Sequence, residues 1–136
     1  MGNVYAEISL KNTGDVLKAR EGTITEKEIR QTTVRALVDT GAWTLVINEA
    51  MRKELGLHIF STGTGTLADG TKAACNLAGP VEVGWKDRST NCDALILAEA
   101  NEALLGAIPL EAMDLMVHPR NEELVGVHGD QVIHRV

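Results

Sequence analysis

The sequence predicts a mainly β domain, a barrel or sandwich with one or two short helices, and three observations predict it. Short apolar segments alternate with polar residues, as at Val4, Ala6, Ile8 and Leu10. Turn-forming clusters such as "KNTGD", "LADGT", "KDRS" and "HGD" separate these segments. Only one stretch, "NEAMRKELG", carries both the start and the stop signals of a well-formed helix. A chain of 136 residues, 44% hydrophobic and 24% charged, is long enough to bury a core as one domain spanning 1–136. No linker, internal repeat or low-complexity block divides it.

Taken in order, Val4 to Leu10 reads as a half-buried strand, "KNTGD" as its turn and "VLKAR" as its hairpin partner. Residues 21–28, "EGTITEKE", are polar and weakly patterned, a connecting loop or excursion, and the charges of "TEKEIR", Thr25 to Arg30, read as a solvent face. Ile29 to Val38 and Trp43 to Ile47 read as two strands flanking Asp39, Thr40 and Gly41. In "NEAMRKELG", Asn48 is placed to cap, Met51 and Leu55 share a face, and Gly56 closes the helix. "TGTGTLADGTKAAC" has Asp69-Gly70 at a tight hairpin turn. "PVEVGW" and "TNCDALIL" form a second hairpin around "KDRS". Pro109 to Asp114 is a second short helix, since proline suits a first turn. "ELVGV" and "QVIHRV" close the chain as a last hairpin.

Composition narrows the function. The 13 basic and 19 acidic residues give a net charge of −6, opposite to the basic face of a phosphate-tracking protein, so no nucleic-acid partner is expected. Four aromatics (Tyr5, Trp43, Phe60, Trp85) leave little for stacking bases. No apolar run is long enough to span a bilayer, and "MGNVYAEISLKN" lacks a basic and then apolar leader. A cytoplasmic protein without a membrane partner is the expectation. Cys75 and Cys92 form no CxxC pair and read as buried thiols. His58, His118, His128 and His134 have no metal-ligand spacing, so neither a metal nor another cofactor is expected; His128 and His134 read as solvated.

What remains is "RALVDTGAWTLVI", where one carboxylate stands between two apolar runs. Burying an ionised carboxylate costs several kcal/mol or more unless it is paired or protonated. "LVDTGA" at Leu37 to Ala42 resembles the active-site loop of aspartic proteases, with Asp39 at the catalytic position. "ALLGAIPL" at Ala103 to Leu110 resembles the family's hydrophobic-hydrophobic-Gly motif before a short helix, and "LADGT" lies between the two, where the family has its flap. The order of loop, flap and Leu-Leu-Gly spans Ile29 to Asp114. With one DTG and no second lobe, the chain resembles the retroviral-type, retropepsin-like enzymes and their prokaryotic single-domain relatives.

That resemblance implies a retropepsin-like acid-protease β-barrel acting as a homodimer on an extended peptide. One aspartate per chain makes half a dyad, and a two-fold axis supplies the rest. Two carboxylates about 3 Å apart share one proton, so one acts as base toward water while the other polarises the peptide carbonyl. By the same resemblance Thr40 reaches across the axis, Gly41 donates its N–H to the carboxylate, and Ala42 offers no side-chain donor. Fewer donors to the charged form imply an optimum in the mildly acidic to near-neutral range. Substrate contacts are implied for Trp43, Ala68, Asp69, Gly70, Leu105 and Gly106. Retroviral enzymes carry an acidic residue at the position of Trp43, paired with an arginine at that of Ala107, and both are missing here together. Trp43 either walls an apolar subsite or packs, and packing is the reading preferred. The chain ends, "NVYAEISL" and "QVIHRV", are the segments expected to interleave between subunits. The rival reading is a catalytically inactive dimerisation or peptide-binding module of the same fold.

Overall fold

The computed structural model describes residues 2–67 and 69–134. Strand β1 (Tyr5–Asn12) runs antiparallel to β2 (Gln31–Val38), with Tyr5 opposite Leu37 and Lys11 opposite Gln31. Strand β3 (Leu45–Ile47) leads into helix α2 (Glu49–Leu55), and β4 (His58–Thr66) and β5 (Lys72–Trp85) form a long hairpin. Strand β6 (Arg88–Ile96) pairs back along β5, and the two-residue β7 (Leu104–Leu105) precedes helix α3 (Ala107–Ala112). Strands β8 (Leu115–His118) and β9 (Glu123–Gly126) form a separate two-stranded sheet.

The large sheet runs β1-β2-β7-β3-β6-β5-β4, and an added β1–β5 pairing closes it into a ring. The expected mainly β barrel is therefore present. Its interior holds Ile8, Leu10, Leu45, Ile47, Leu55, Val81, Val83 and Leu105, each nearly or fully buried. Each such side chain contributes about 1.5–3 kcal/mol by leaving water. Of the alternation seen at Val4, Ala6, Ile8 and Leu10, the last three are the buried face of β1, and Val4 is buried just before the strand.

Helix α2 follows its sequence signals. Asn48 Oδ1 accepts from the Met51 N–H at 2.9 Å, and Gly56 adopts the left-handed φ of 63° that ends the helix.

Several expectations are corrected. "VLKAR" is no strand; it lies in helix α1 (Thr13–Arg20). Asn12 caps that helix through the Asp15 N–H, and buried Asp15 takes both the backbone N–H and the guanidinium of Arg30. The hairpin partner of β1 is β2, so α1 is an excursion inside that hairpin. Arg30, read as part of a solvent face, is the fastener of the excursion; the short 3-10 turn Glu26–Glu28 beside it is exposed. The last hairpin is also different. "ELVGV" pairs with Leu115–His118, because α3 ends at Ala112 and releases the following residues as a strand, and among the described residues "QVIH" contributes an isolated bridge from Gln131 to His128 and the Ile133 N–H to Asp114 Oδ2 at 3.2 Å. Arg135 and Val136 of "QVIHRV" lie outside the described residues. His128 is not simply solvated: its Nδ1 lies 2.6 Å from Asp114 Oδ2.

Candidate active site

Asp39 stands where β2 leaves the ring. Parallel pairing of β2 with β7 sets Leu37 beside Leu104 and Val38 beside Leu105, while β7 also meets β3 at Val46. The segment carrying Leu104-Leu105 is thus a wedge between the strands entering and leaving the Asp39 loop. The Asp39 N–H donates to the Leu105 carbonyl at 3.0 Å, and the Ala42 N–H closes the loop onto the Asp39 carbonyl at 3.1 Å. On the far side, the N–H groups of Ala107 and Ile108, at the start of α3, donate to the carbonyls of Ala42 and Trp43 at 2.9 and 3.0 Å.

Gly106 explains how close this packing is. A β-carbon there would lie 2.3 Å from the Thr44 carbonyl oxygen and 2.6 Å from that of Ala42, so no other residue fits without moving the loop backbone. Beneath the loop, the buried Thr44 hydroxyl donates to the Asp93 carbonyl at 3.0 Å and ties β3 to β6. Thr44 was missed in the sequence, although a hydroxyl inside the apolar run "WTLVI" was the available signal.

The Asp39 carboxylate is half-buried, and its Oδ1 accepts the Gly41 N–H at 2.9 Å, as expected of Gly41. Thr40 and Gly41 are exposed, and Ala42 is half-buried. Trp43 is 58% exposed, which corrects the expectation that it packs: its backbone is pinned by Ile108 while its indole is left outside the core. Leu105 and Gly106 are buried in this chain. They act on the site through backbone, as the acceptor of the Asp39 N–H and as the surface on which the loop rests.

The β4–β5 hairpin projects from the ring, its residues mostly exposed from His58 to Lys72. At its tip the Leu67 N–H donates to the Thr71 carbonyl at 2.7 Å, Gly70 takes a φ of 87°, and Asp69 Oδ1 accepts from both the amide and the hydroxyl of Thr71. Those two donors hold the Asp69 carboxyl below its usual range. Ala68 lies outside the described residues. Among the described residues no hydrogen bond joins this tip to the Asp39 loop.

The remaining candidates do not add a second chemistry. Burial pushes the Cys92 thiol up to about 11, so it is not a thiolate nucleophile near neutral pH. Cys75 is half-buried on the hairpin and unpaired. Among the described residues no cluster of three His, Cys, Asp or Glu side chains is placed to hold a metal. No described helix is long and apolar enough to cross a membrane.

With the site laid out, its relatives can be compared. Residues 25–112 match the family described as "gag-polyprotein putative aspartyl protease". Among solved structures, the chain is similar to a retropepsin-like aspartic protease from Rickettsia conorii, at 15% identity over 78% of each chain, with a TM-score of 0.37. No curated protein matches the chain.

Proposed function

Since this chain belongs to the gag-polyprotein aspartyl protease family, we propose that it is an aspartic endopeptidase working as a homodimer, with one Asp39 from each copy forming the catalytic dyad. The observation that carries the reading is the Asp39 loop. One carboxylate oxygen is oriented by Gly41, the backbone behind it is fixed by Leu105, and the group stands at the rim of the barrel instead of inside it. A carboxylate held in this way is pre-set for a partner and needs no burial until the partner arrives. In the dimer the two carboxylates share one proton, which offsets the cost of enclosing them.

The reaction then needs only these groups. The ionised member removes a proton from water, and the resulting nucleophile attacks the peptide carbonyl. The protonated member donates to the carbonyl oxygen. Collapse of the tetrahedral adduct breaks the C–N bond, and the departing nitrogen takes its proton from the dyad. In this reading Thr40, exposed beside Asp39, bonds to the other copy's loop, and Asp69-Gly70 at the hairpin tip closes over an extended peptide, adding strand-like hydrogen bonds. Trp43, exposed next to the loop, is assigned a substrate side chain.

Incubating the protein with a diverse peptide mixture tests this. Cleavage is expected, falling on the order of 10⁴-fold in Asp39→Asn, with unchanged melting because among the described residues the carboxylate makes one local bond. Cleavage that survives the substitution sinks the proposal. The second reading, a binding module without catalysis, is favoured by one observation: Trp43 and Ala107 leave the loop without the charged pair that retroviral enzymes carry there. Peptide binding without cleavage by either form selects it.

A further inference from the structure

We propose that Arg88 is a positioning residue for the Asp39 loop, acting from the far end of helix α3, a role that rests on the peptidase reading above. Helix α3 has six residues and is about 9 Å long, too short to satisfy its own backbone. Its first N–H groups and last carbonyls must find partners outside it. At the start, the Ala107 and Ile108 N–H groups donate to the Ala42 and Trp43 carbonyls of the loop. At the finish, the Arg88 guanidinium serves the carbonyls. Its Nη1 donates to Met113 at 2.9 Å and to Asp114 at 3.0 Å, and its Nη2 donates to Gly129. The helix is thus a short rod, bonded to the loop at one end and to a cation at the other.

The burial of that cation needs a reason. An arginine in the hairpin turn "KDRS" is expected to lie in water, yet Arg88 is only 7% exposed. Among the described residues no carboxylate forms an ion pair with it. The Asp114 carboxylate is taken instead by His128 Nδ1 and the Ile133 N–H. A buried cation whose partners are all carbonyls gains most at a helix C-terminus, where the aligned peptide dipoles place negative charge. The chain also makes room for it, since a side chain at Gly126 would run into the guanidinium.

The bonds from Arg88 supply what packing cannot. Pro109, Leu110 and Met113 are buried and hold α3 to the core, but apolar contact is non-directional. Directed bonds at Met113 and Asp114 fix where the helix stands along its axis. That position decides where the Ala107 and Ile108 N–H groups meet the loop. Neither Ala107 nor Trp43 carries a charge that could brace the loop end, so the bracing charge enters at the opposite end.

Three variants of the full chain test the role. Arg88→Met keeps the length of the stem and removes every donor, while Arg88→Lys keeps the charge and part of the bonding. Asp15→Ala unfastens the α1 excursion and is the control, lowering melting from outside α3. In Arg88→Met, kcat for peptide cleavage should fall on the order of 10²-fold, well beyond any rise in KM, because dyad geometry is felt in the transition state. The Ala107 and Ile108 amides should exchange faster at a temperature where the protein is still folded. Arg88→Lys should lose only about 10-fold in kcat, with a smaller change at the same two amides, and it carries the test if Arg88→Met does not fold. Asp15→Ala should melt lower with kcat and both amides unchanged. Arg88 variants that melt lower but keep their kcat and their Ala107 and Ile108 protection overturn the role. So does an Asp15→Ala chain that loses kcat as severely at the same loss of melting temperature. A natural chain that cleaves nothing, while its Arg88 variants expose the two amides, removes the peptidase and upholds the brace from Arg88 to the loop.

Discussion

Two turns in this molecule use the same local chemistry and have different fates. At Asp39 and again at Asp69, the Oδ1 of an aspartate accepts the backbone N–H of the residue two positions on, each at 2.9 Å, with a glycine inside the turn. Around Asp39, backbone groups from β7 and α3 grip the loop on both sides, and Gly106 leaves no room between them. Around Asp69 there is only the hairpin itself, and nothing lies within 4 Å of where a Gly70 side chain would begin. Aspartate-glycine turn chemistry fixes a bend; the distant segment pressed against it decides whether the bend is rigid. In the proposed reading, the carboxylate that activates water has the first arrangement, and the cover that admits a peptide has the second.

The contrast can be broken most severely at its tightest point. Gly106→Ala should cost about 3 kcal/mol, the upper range for overpacking, since backbone atoms and no flexible side chain must retreat. Calorimetry should show a melting temperature lower by roughly 10 °C, and cleavage should fall with it. Thr44→Val, isosteric but without the hydroxyl, leaves the Asp93 carbonyl without that donor and should cost about 1–2 kcal/mol. The same glycine-to-alanine change made at Gly70 meets no atom and faces only its left-handed φ, at about 1 kcal/mol. Because the tip is held by its own hairpin bonds and is exposed, that cost should appear as faster amide exchange at Leu67 with little change in melting. A large melting shift for Gly70→Ala, or none for Gly106→Ala, would erase the distinction.

The smallest effect is one of pH. The Thr71 donors lower the Asp69 carboxyl, so their support is complete above the ordinary aspartate range, near pH 4, and is lost as pH falls through the lowered value. The Thr71 amide resonance should accordingly titrate below pH 4. A midpoint at or above the ordinary value would show that the tip turn is not formed in solution.

The same comparison explains what the sequence made legible. Alternation along β1 and the cap signals of α2 are short-range, and both were read correctly. "VLKAR" carries equally local signals, but they fit strand and helix alike. Asn12 and the distant Arg30 decided for helix through Asp15, and no window of a few residues contains both. Asp39 and Leu104-Leu105-Gly106 were recognised together by resemblance, but sequence order does not say which side of the loop the second segment occupies. Leu105 and Gly106 are buried behind it. Trp43 misled in the opposite sense: an aromatic beside an apolar strand ordinarily packs, but the strand starts only at Leu45, so the indole falls on a bend outside the ring.

The wedge of Leu104-Leu105 has a consequence for biosynthesis. Ribosomes deliver residues from the N-terminus, and Asp39 emerges long before the segment whose carbonyl receives its amide proton. Until that late piece slides between β2 and β3, the ring stays open and the loop has no fixed shape. In the proposed reading, the catalytic loop therefore takes its shape only after Leu104-Leu105 has been made.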